Sequence, residues 1–593
     1  LSTPTCIFWN LHRIFNFYTY IMKKNSMSHF WYMQNSMNHF WYMHNSMNHF
    51  WCILNGLANP CPKSWGFLYL KFVIILWQWR DLVDLKFQSA ENTIQVQVDS
   101  GVVVTTPSVP LPNQVILRSV SPSGKKVALI TQENDHQKLT ICLDNGDVSS
   151  FDLNESDKYG KIYSDPYISS LDWSSDERKV AFIAEEARPS LSDNLFCSFW
   201  IQTGVVVIFD TEEETSRVRA LPDGVTPGQL VWKPNSEIVV GVGYPSKPYR
   251  IGIAYCSDRE SFLFSVDQNG VYEELTPRGQ HVKNPRFSPS GENLVYFQST
   301  IYGERAPAAQ LALIKWSSRQ SEILVDYVKV SKLIHNEKSF VGVCGKSILP
   351  RRCFDVSEKR IFFSAYKISN YVTYIINTET KEIFELTDPN EYSSVQDVYK
   401  DWILLLKSSL TEPDRIYLCK FSSVGNSLEK YLPITTERSL KNVEKDWVSV
   451  LEFQSPIKDK FGQELTVTAL YLGPKAGMEK RPLVCWPHGG PHSVIGNRFT
   501  HTIAFFLNIG YSVLLPNYRG SIGHGNDFLT ASLGQCGDAD VQDCFQSIEE
   551  VLKRFKDTVS EDELFIMGFS HGGLLTLHLA TNYPGLFGVR FAI

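Results

Sequence analysis

Leu564-Phe-Ile-Met-Gly-Phe-Ser-His-Gly-Gly573 carries four apolar residues into a G-x-S-x-G pattern, and a helix-like run, Leu574-Leu-Thr-Leu-His-Leu-Ala580, follows it. Strand, sharp turn and helix form the setting in which this pattern places a serine, here Ser570, at a nucleophile elbow. The flanking glycines, Gly568 and Gly572, with Gly573 behind them, have a steric reason. The turn holds the serine in a strained conformation, and a side chain on either side would strike the neighbouring strand or helix. With 36 glycines in the chain, chance supplies about 0.2 such matches, so the context carries the weight and the bare pattern does not.

The residues upstream supply that context. Glu464-Leu-Thr-Val-Thr-Ala-Leu-Tyr-Leu472 alternates as a strand, and Arg481-Pro-Leu-Val-Cys-Trp-Pro487 is a buried strand that ends in His488-Gly-Gly-Pro-His492. Gly510-Tyr-Ser-Val-Leu-Leu-Pro516 is the next strand, leading into Asn517-Tyr-Arg-Gly-Ser-Ile-Gly-His-Gly525. Val541, Cys544, Phe545, Ile548, Val551, Leu552 and Phe555 then recur at helical spacing, with Asp538 and Asp540 at the favourable amino end. Strands alternating with helices predict a parallel sheet, hence an α/β-hydrolase domain over 455–593.

Acyl transfer needs donors for the oxyanion as well as a nucleophile. The N–H of His571, directly after the serine, is one expected donor, and the Gly-rich loop after the earlier strand offers the second. Gly490 is the expected residue there, with Gly489 next. His488 and His492 read as loop structure, because in this fold the base follows the serine in sequence. His571 adjoins the nucleophile too closely to reach back to it. Arg519 could meet a substrate carboxylate or form a structural ion pair, and His501, His524 and His578 are expected at the surface or on helix faces.

The expected chain order is Ser, then Asp or Glu, then His, but only 23 residues follow Ser570. A strand–helix–strand unit takes about 30 residues or more. The domain is therefore expected to be C-terminally truncated, ending in a strand at 587–593, with the triad Asp and His absent and the chain inactive as written. An oxyanion hole without its full triad can still leave some residual rate. A central strand left at an edge would expose apolar surface and fold poorly.

Between residues 87 and 450 short β-rich runs alternate with polar turns, and one turn-and-strand run recurs. Ser121-Pro-Ser-Gly-Lys-Lys-Val-Ala-Leu-Ile130 and Ser288-Pro-Ser-Gly-Glu-Asn-Leu-Val-Tyr-Phe297 are the clearest copies, with others at 174–183, 233–241 and 356–364 and a weaker one at 399–406. Pro122 and Pro289 lie 167 residues and three repeats apart, about 56 residues per repeat. About four strands in each such repeat predict a β-propeller over 85–454, with a seventh blade closed by strands near 93–98 and 446–453. Alone it would read as an interaction platform; ahead of a hydrolase it reads as a lid that restricts entry.

Residues 1–84 stand apart and are expected to lie outside the fold. A decamer is written three times, beginning Asn25-Ser-Met-Ser-His-Phe-Trp-Tyr-Met-Gln34. His29, His39 and His49 fall in register, as a metal-binding tract would need, yet near-identity without packing periodicity points to recent duplication. The apolar stretch at 65–77 is broken by Lys71 and is shorter than the roughly 20 residues of a membrane span. The composition, 43% hydrophobic and 20% charged, is that of a soluble globular protein of more than one domain. A net charge of −6 offers no basic field to nucleic acid. Twelve scattered cysteines without C-x-x-C or zinc-site spacing suit a reducing cytosol, and no metal or other cofactor is implied.

The motifs now assembled resemble those of the acylaminoacyl-peptidases (acylpeptide hydrolases) of the prolyl oligopeptidase family of serine peptidases. The resemblance is close at Pro487-His-Gly-Gly-Pro-His-Ser493, Asn517-Tyr-Arg-Gly-Ser-Ile-Gly523 and Ser570-His-Gly-Gly573, and extends to Thr226-Pro-Gly-Gln-Leu-Val-Trp232 and Pro248-Tyr-Arg-Ile-Gly-Ile253. It implies a seven-bladed propeller over an α/β-hydrolase domain, in a cytosolic and often oligomeric enzyme. The implied activity removes the N-acylated residue from short blocked peptides, with Ser570 as nucleophile and His571 and Gly490 as oxyanion donors. Phe569 stands where the family often has glycine, 188–205 looks shortened, and residues 1–80 match nothing in it. A same-superfamily esterase or dipeptidyl-type peptidase, or a catalytically dead scaffold, are the alternatives.

Overall fold

The computed structural model describes strands at 92–97 and 102–107 and then residues 115–592, apart from 135, 144–145, 154–157, 188–203, 248–252, 254–258, 302–306, 330–339, 423–424, 436–439, 441–442 and 477–478. The decamers, the apolar stretch at 65–77 and most of 188–205 lie outside the described residues.

Six antiparallel sheets of three to five strands follow one another between Val115 and Pro433, and each contains one of the six turn-and-strand runs of the sequence. The recurring turn has a recurring cause. The amide of its first residue donates to the carbonyl five residues on: Ser121 to Lys126 (2.8 Å), Ser174 to Lys179 (2.9 Å), Lys233 to Ile238 (2.9 Å), Ser288 to Asn293 (2.8 Å) and Asp355 to Arg360 (3.1 Å). Closing so short a loop requires a left-handed residue, which is Gly124 at φ 78° in the first sheet and Gly291 at φ 77° in the fourth. Turns of successive sheets then meet, as where Ser123 Oγ donates to Glu177 (3.0 Å) and Ser290 Oγ to Glu358 (2.8 Å).

The strands bury both faces, so each sheet packs against the next. Ile130 and Leu139 meet Phe182 and Val207; Ile183 and Val206 meet Phe262 and Phe264; Val242 and Leu263 meet Leu294 and Tyr296. Val295 and Leu311 meet Phe363 and Tyr374, and Phe362 and Ile375 meet Ile403 and Leu405. Each fully buried side chain of this size contributes about 1.5–3 kcal/mol.

The remainder forms one six-stranded sheet, β1 (Val448–Gln454), β2 (Thr466–Leu472), β3 (Arg481–Cys485), β4 (Ser512–Asn517), β5 (Val559–Gly568) and β6 (Val589–Ala592), in the order β1-β2-β4-β3-β5-β6. β1 and β2 are antiparallel additions, while β4, β3, β5 and β6 are mutually parallel. The helices are α1 (His501–Asn508), α2 (Asn526–Thr530), α3 (Ala539–Arg554) and α4 (His571–Asn582). Here the structure corrects one expectation: 448–454 does not close a blade with the strand near 93–98. It pairs along its whole length with β2, and the strand at 92–97 pairs with 102–107. Leu451 and Phe453 explain the choice, since both are buried in the core beneath the parallel strands.

The antiparallel half lies on the loops that leave the carboxyl ends of β3 and β4. Ile368, at φ 56° in the 367–370 turn, donates its N–H to Gly523 O (2.7 Å), and Asn517 donates to Ser369 Oγ (2.7 Å). Lys346 Nζ donates to Ser493 Oγ (2.6 Å). In open α/β sheets the carboxyl ends of parallel strands are where ligands bind.

Candidate active site

β5 delivers the chain to Phe569 and Ser570, and α4 leaves at once from His571. Ser570 sits at φ 56°, ψ −125°, a conformation a non-glycine residue adopts only when its surroundings impose it. The glycines are those surroundings. A Cβ on Gly568 would lie 2.1 Å from Gly572 O, and one on Gly572 would lie 2.2 Å from Pro487 O and 3.0 Å from the His488 carbonyl. Gly573 is buried on the same turn. Ser570 is exposed, and Phe569 beside it is 39% exposed with its ring tilted 6.1 Å from Trp486.

The loop after β3 closes against this turn. A Cβ on Gly489 would lie 2.9 Å from Phe569 O and 3.4 Å from Ser570 Cβ, so only glycine lets the two backbones meet. Gly490 follows at φ 146°, and a Cβ there would strike the His492 amide at 2.7 Å. The N–H groups of Gly490 and His571 have no acceptor among the described residues. Both are amides of the type that can receive an oxyanion.

The histidines divide by burial. His488 stacks on Tyr518 at 4.3 Å; its Nδ1 lies 2.8 Å from Gly489 O and its Nε2 2.8 Å from Ser521 Oγ. Burial pushes its pKa down to about 3. His492 is buried, with Nε2 3.2 Å from Ser532 Oγ. His524, expected at the surface or on a helix face, lies instead in a loop and is 1% exposed, stacked on Phe528 and bonded to Thr468 Oγ1 at 2.9 Å, with burial lowering its pKa to about 4. The aromatic ring and the threonine, on α2 and β2, draw it inward from a Gly-rich loop whose sequence suggests exposure. His501 is exposed and His578 half-buried, as expected. Among the described residues no imidazole or carboxylate is bonded to Ser570 Oγ.

His488 and His524 set a pH dependence. Both are held neutral when folded, so the unfolded chain, with histidine pKa near 6.5, binds the extra protons. Stability is full above about pH 6.5 and falls by about 1.4 kcal/mol per pH unit for each ring as the pH drops towards the folded values. In urea titrations, the stability difference between the natural chain and His524→Gln is expected to shrink from pH 6.5 to pH 4. A difference that stays constant across that range would refute this assignment.

Arg519 and Asp543 settle another alternative. Both are 0% exposed; Arg519 Nε donates to Asp543 Oδ2 (2.8 Å) and Nη2 to Oδ1 (3.0 Å), so this arginine is structural and reaches no substrate. Sequence spacing also hid a second cluster. The His571 ring turns away from Ser570 to place Nε2 2.8 Å from Asp540 Oδ2, with Cys536 alongside. Only the i, i+4 relation of Cys536 and Asp540 across the start of α3 hints at it.

Comparison with known proteins agrees with this layout. Residues 86–204 and 202–443 match "Acylamino-acid-releasing enzyme, N-terminal domain", and 497–592 match "Prolyl oligopeptidase family". The acylamino-acid-releasing enzyme of Rattus norvegicus is 28% identical over 534 residues, covering 80% of this chain and 71% of that protein. That of Homo sapiens is 28% identical over 520 residues, covering 79% and 70%. Among solved structures, the Pyrococcus horikoshii acylaminoacyl peptidase superposes with a TM-score of 0.59 at 16% identity, covering 84% of this chain and 71% of that one. An acylaminoacyl peptidase in complex with Z-Gly-Gly-Phe-chloromethyl ketone gives a TM-score of 0.58 at 16% identity, again over 84% of this chain and 71% of that one. These two likenesses speak to fold. Among the described residues no helix is long and apolar enough to cross a membrane.

Proposed function

The chain belongs to the acylamino-acid-releasing branch of the prolyl oligopeptidase family of serine peptidases, and from that premise we propose that it carries the nucleophile and oxyanion donors of an enzyme that cleaves the N-acylated residue from short blocked peptides. Ser570 Oγ attacks the main-chain carbonyl carbon of the acylated residue, the C–N bond to the next residue breaks, an acyl-enzyme forms, and the peptide amine leaves with the proton given up by the serine hydroxyl. The N–H groups of His571 and Gly490 hold the oxyanion. Gly568, Gly572 and Gly573 keep the turn tight enough to present them. The conformation and exposure of Ser570, flanked by two N–H groups without acceptors, is the observation that carries this reading.

Among the described residues the nucleophile and oxyanion donors stand without a general base bonded to the serine. The remaining machinery is expected to react slowly, since oxyanion hole and binding alone still accelerate acyl transfer.

The six antiparallel sheets are, in this reading, blades of a propeller that admits only short peptides. Bonds between them support a ring. Trp173 Nε1 donates to Ser119 O (3.2 Å) and Trp232 Nε1 to Asp172 O (3.1 Å), linking the first three sheets in turn. Arg286, in the fourth sheet, donates to Pro350 O (2.9 Å), and the neighbouring Arg351 donates to Val120 O (2.8 Å), back in the first sheet. A straight stack would hold those ends apart; seven blades remains the family expectation. The partition we favour is 85–447 for the cover and 448–593 for the peptidase part, with 1–84 outside both, moved from 454 because β1 pairs with β2. The described cysteines are free thiols, which suits a cytosolic setting.

A fluorophosphonate probe tests the nucleophile. Slow labelling confined to Ser570 and abolished in Ser570→Ala is expected. A folded chain that stays unlabelled, or labelling that survives the substitution, would favour a dead scaffold.

A further inference from the structure

Cys536, Asp540 and His571 come from two places in the sequence, yet one donor atom from each lies within 4.8 Å of the other two. Asp540 is fully buried, and its Oδ1 is fixed by the amides of Gly537 (2.7 Å) and Val541 (3.0 Å). That leaves Oδ2 aimed at His571 Nε2, 2.8 Å away. Cys536 is exposed, so the cluster opens to solvent through the thiol, which among the described residues donates only to Ser532 O at 3.3 Å.

We propose that these three side chains form a binding site for a thiophilic divalent cation, Zn2+ or its analogue Cd2+, directly behind the serine turn, with water as fourth ligand. A thiolate, an imidazole nitrogen and a carboxylate oxygen are the donor set that suits such an ion, and three protein ligands leave one position open. Bond lengths of about 2.0–2.3 Å put tetrahedral ligands about 3.3–3.8 Å apart, so adjustments of about 1 Å close the present cluster. The amides on Oδ1 do the orienting that an outer partner usually supplies to a metal carboxylate.

Charge also permits it. The positive ends of α3 and α4 face this spot and would repel a bare dication. Thiolate and carboxylate together neutralise it. On binding, the Cys536 S–H bond breaks, the proton goes to solvent and the sulfur pair bonds the metal. His571 gives its Nε2 pair and keeps its proton on Nδ1. No electron is transferred. Metal binding stands independently of the peptidase reading; only an effect on the His571 N–H, and so on Ser570 labelling, would rest on it.

Titrating the full chain with Co2+ alone tests the site, because a thiolate ligand gives a charge-transfer absorption that neither carboxylate nor imidazole produces. One equivalent is expected to raise that band, Zn2+ to displace it, and Cys536→Ser to abolish it with the circular dichroism and urea midpoint unchanged. His571→Gln, which keeps a donor to Asp540 but no metal-binding nitrogen, is expected to weaken Co2+ at least tenfold. No band at saturating Co2+ would overturn the site. So would a band that survives Cys536→Ser, which would place the ion on another cysteine.

Discussion

Asp543→Ala is expected to lower the stability of the parallel half by about 3–5 kcal/mol, the range for removing one member of a buried ion pair. The carboxylate receives the Arg519 amide (3.0 Å), Nε (2.8 Å) and Nη2 (3.0 Å), together with the Ser455 hydroxyl (2.5 Å). Arg519 keeps bonds to Gln535 Oε1 (2.8 Å) and Ile457 O (2.8 Å) when it is gone, but these are neutral dipoles around a cation with no exposure to water. The charge, more than the bond count, is therefore what becomes unsupported. Two companions separate the causes. Asp543→Asn keeps the shape and should recover little, while Asp543→Ala with Arg519→Met removes both charges and should recover most of the loss. Urea unfolding followed by tryptophan fluorescence measures all three. A single-variant loss below about 1 kcal/mol, or no recovery in the double variant, would sink the account.

That pair also marks where the sequence stops being informative. Arg519 and Asp543 lie 24 residues apart on a loop and a helix, and no local pattern separates a structural arginine from a substrate-binding one. The elbow was legible because every part of it is local: four apolar residues, a glycine at each sterically closed position, and a helix after the serine. The Gly-rich loop was legible for the same reason, since Gly489 and Gly490 are demanded by backbone contacts within a few ångströms. The antiparallel sheets were legible as repeats because each turn closes on itself within five residues. Which sheet a strand joins is a long-range matter. Residues 448–454 alternate as well for one partner as for another, and only the buried cluster of Leu451 and Phe453 decides it. His524 was misplaced on similar grounds, because its partners Thr468 and Phe528 come from separate elements. The Cys536–Asp540–His571 cluster has no signature along the chain, because His571 joins the other two only through the packing of α4 against α3.

Gly572→Ala should be among the most damaging single substitutions in the chain, although it adds one methyl group. The new carbon would sit 2.2 Å from Pro487 O and 3.0 Å from His488 C and O, all backbone atoms. A flexible side chain could swing away; two backbones joined by β3, β5 and α4 cannot. Overpacking a well-filled core costs about 1–3 kcal/mol when side chains can adjust, and this contact should lie at or beyond the upper end. Relief has one direction open, namely moving the amino end of α4 away from the 487–490 loop. That motion carries His571 with it and parts the two amides assigned to the oxyanion. Loss of at least about 3 kcal/mol in urea unfolding is therefore expected together with loss of fluorophosphonate labelling at Ser570. Leu577→Ala is the control: it lies on the same helix, is 44% exposed and is no member of the buried cluster beneath the sheet, so both readouts should stay near those of the natural chain. Equal damage from the two substitutions would mean that α4 is simply fragile, and that the close approach of Gly572 to Pro487 is not what holds the serine in place.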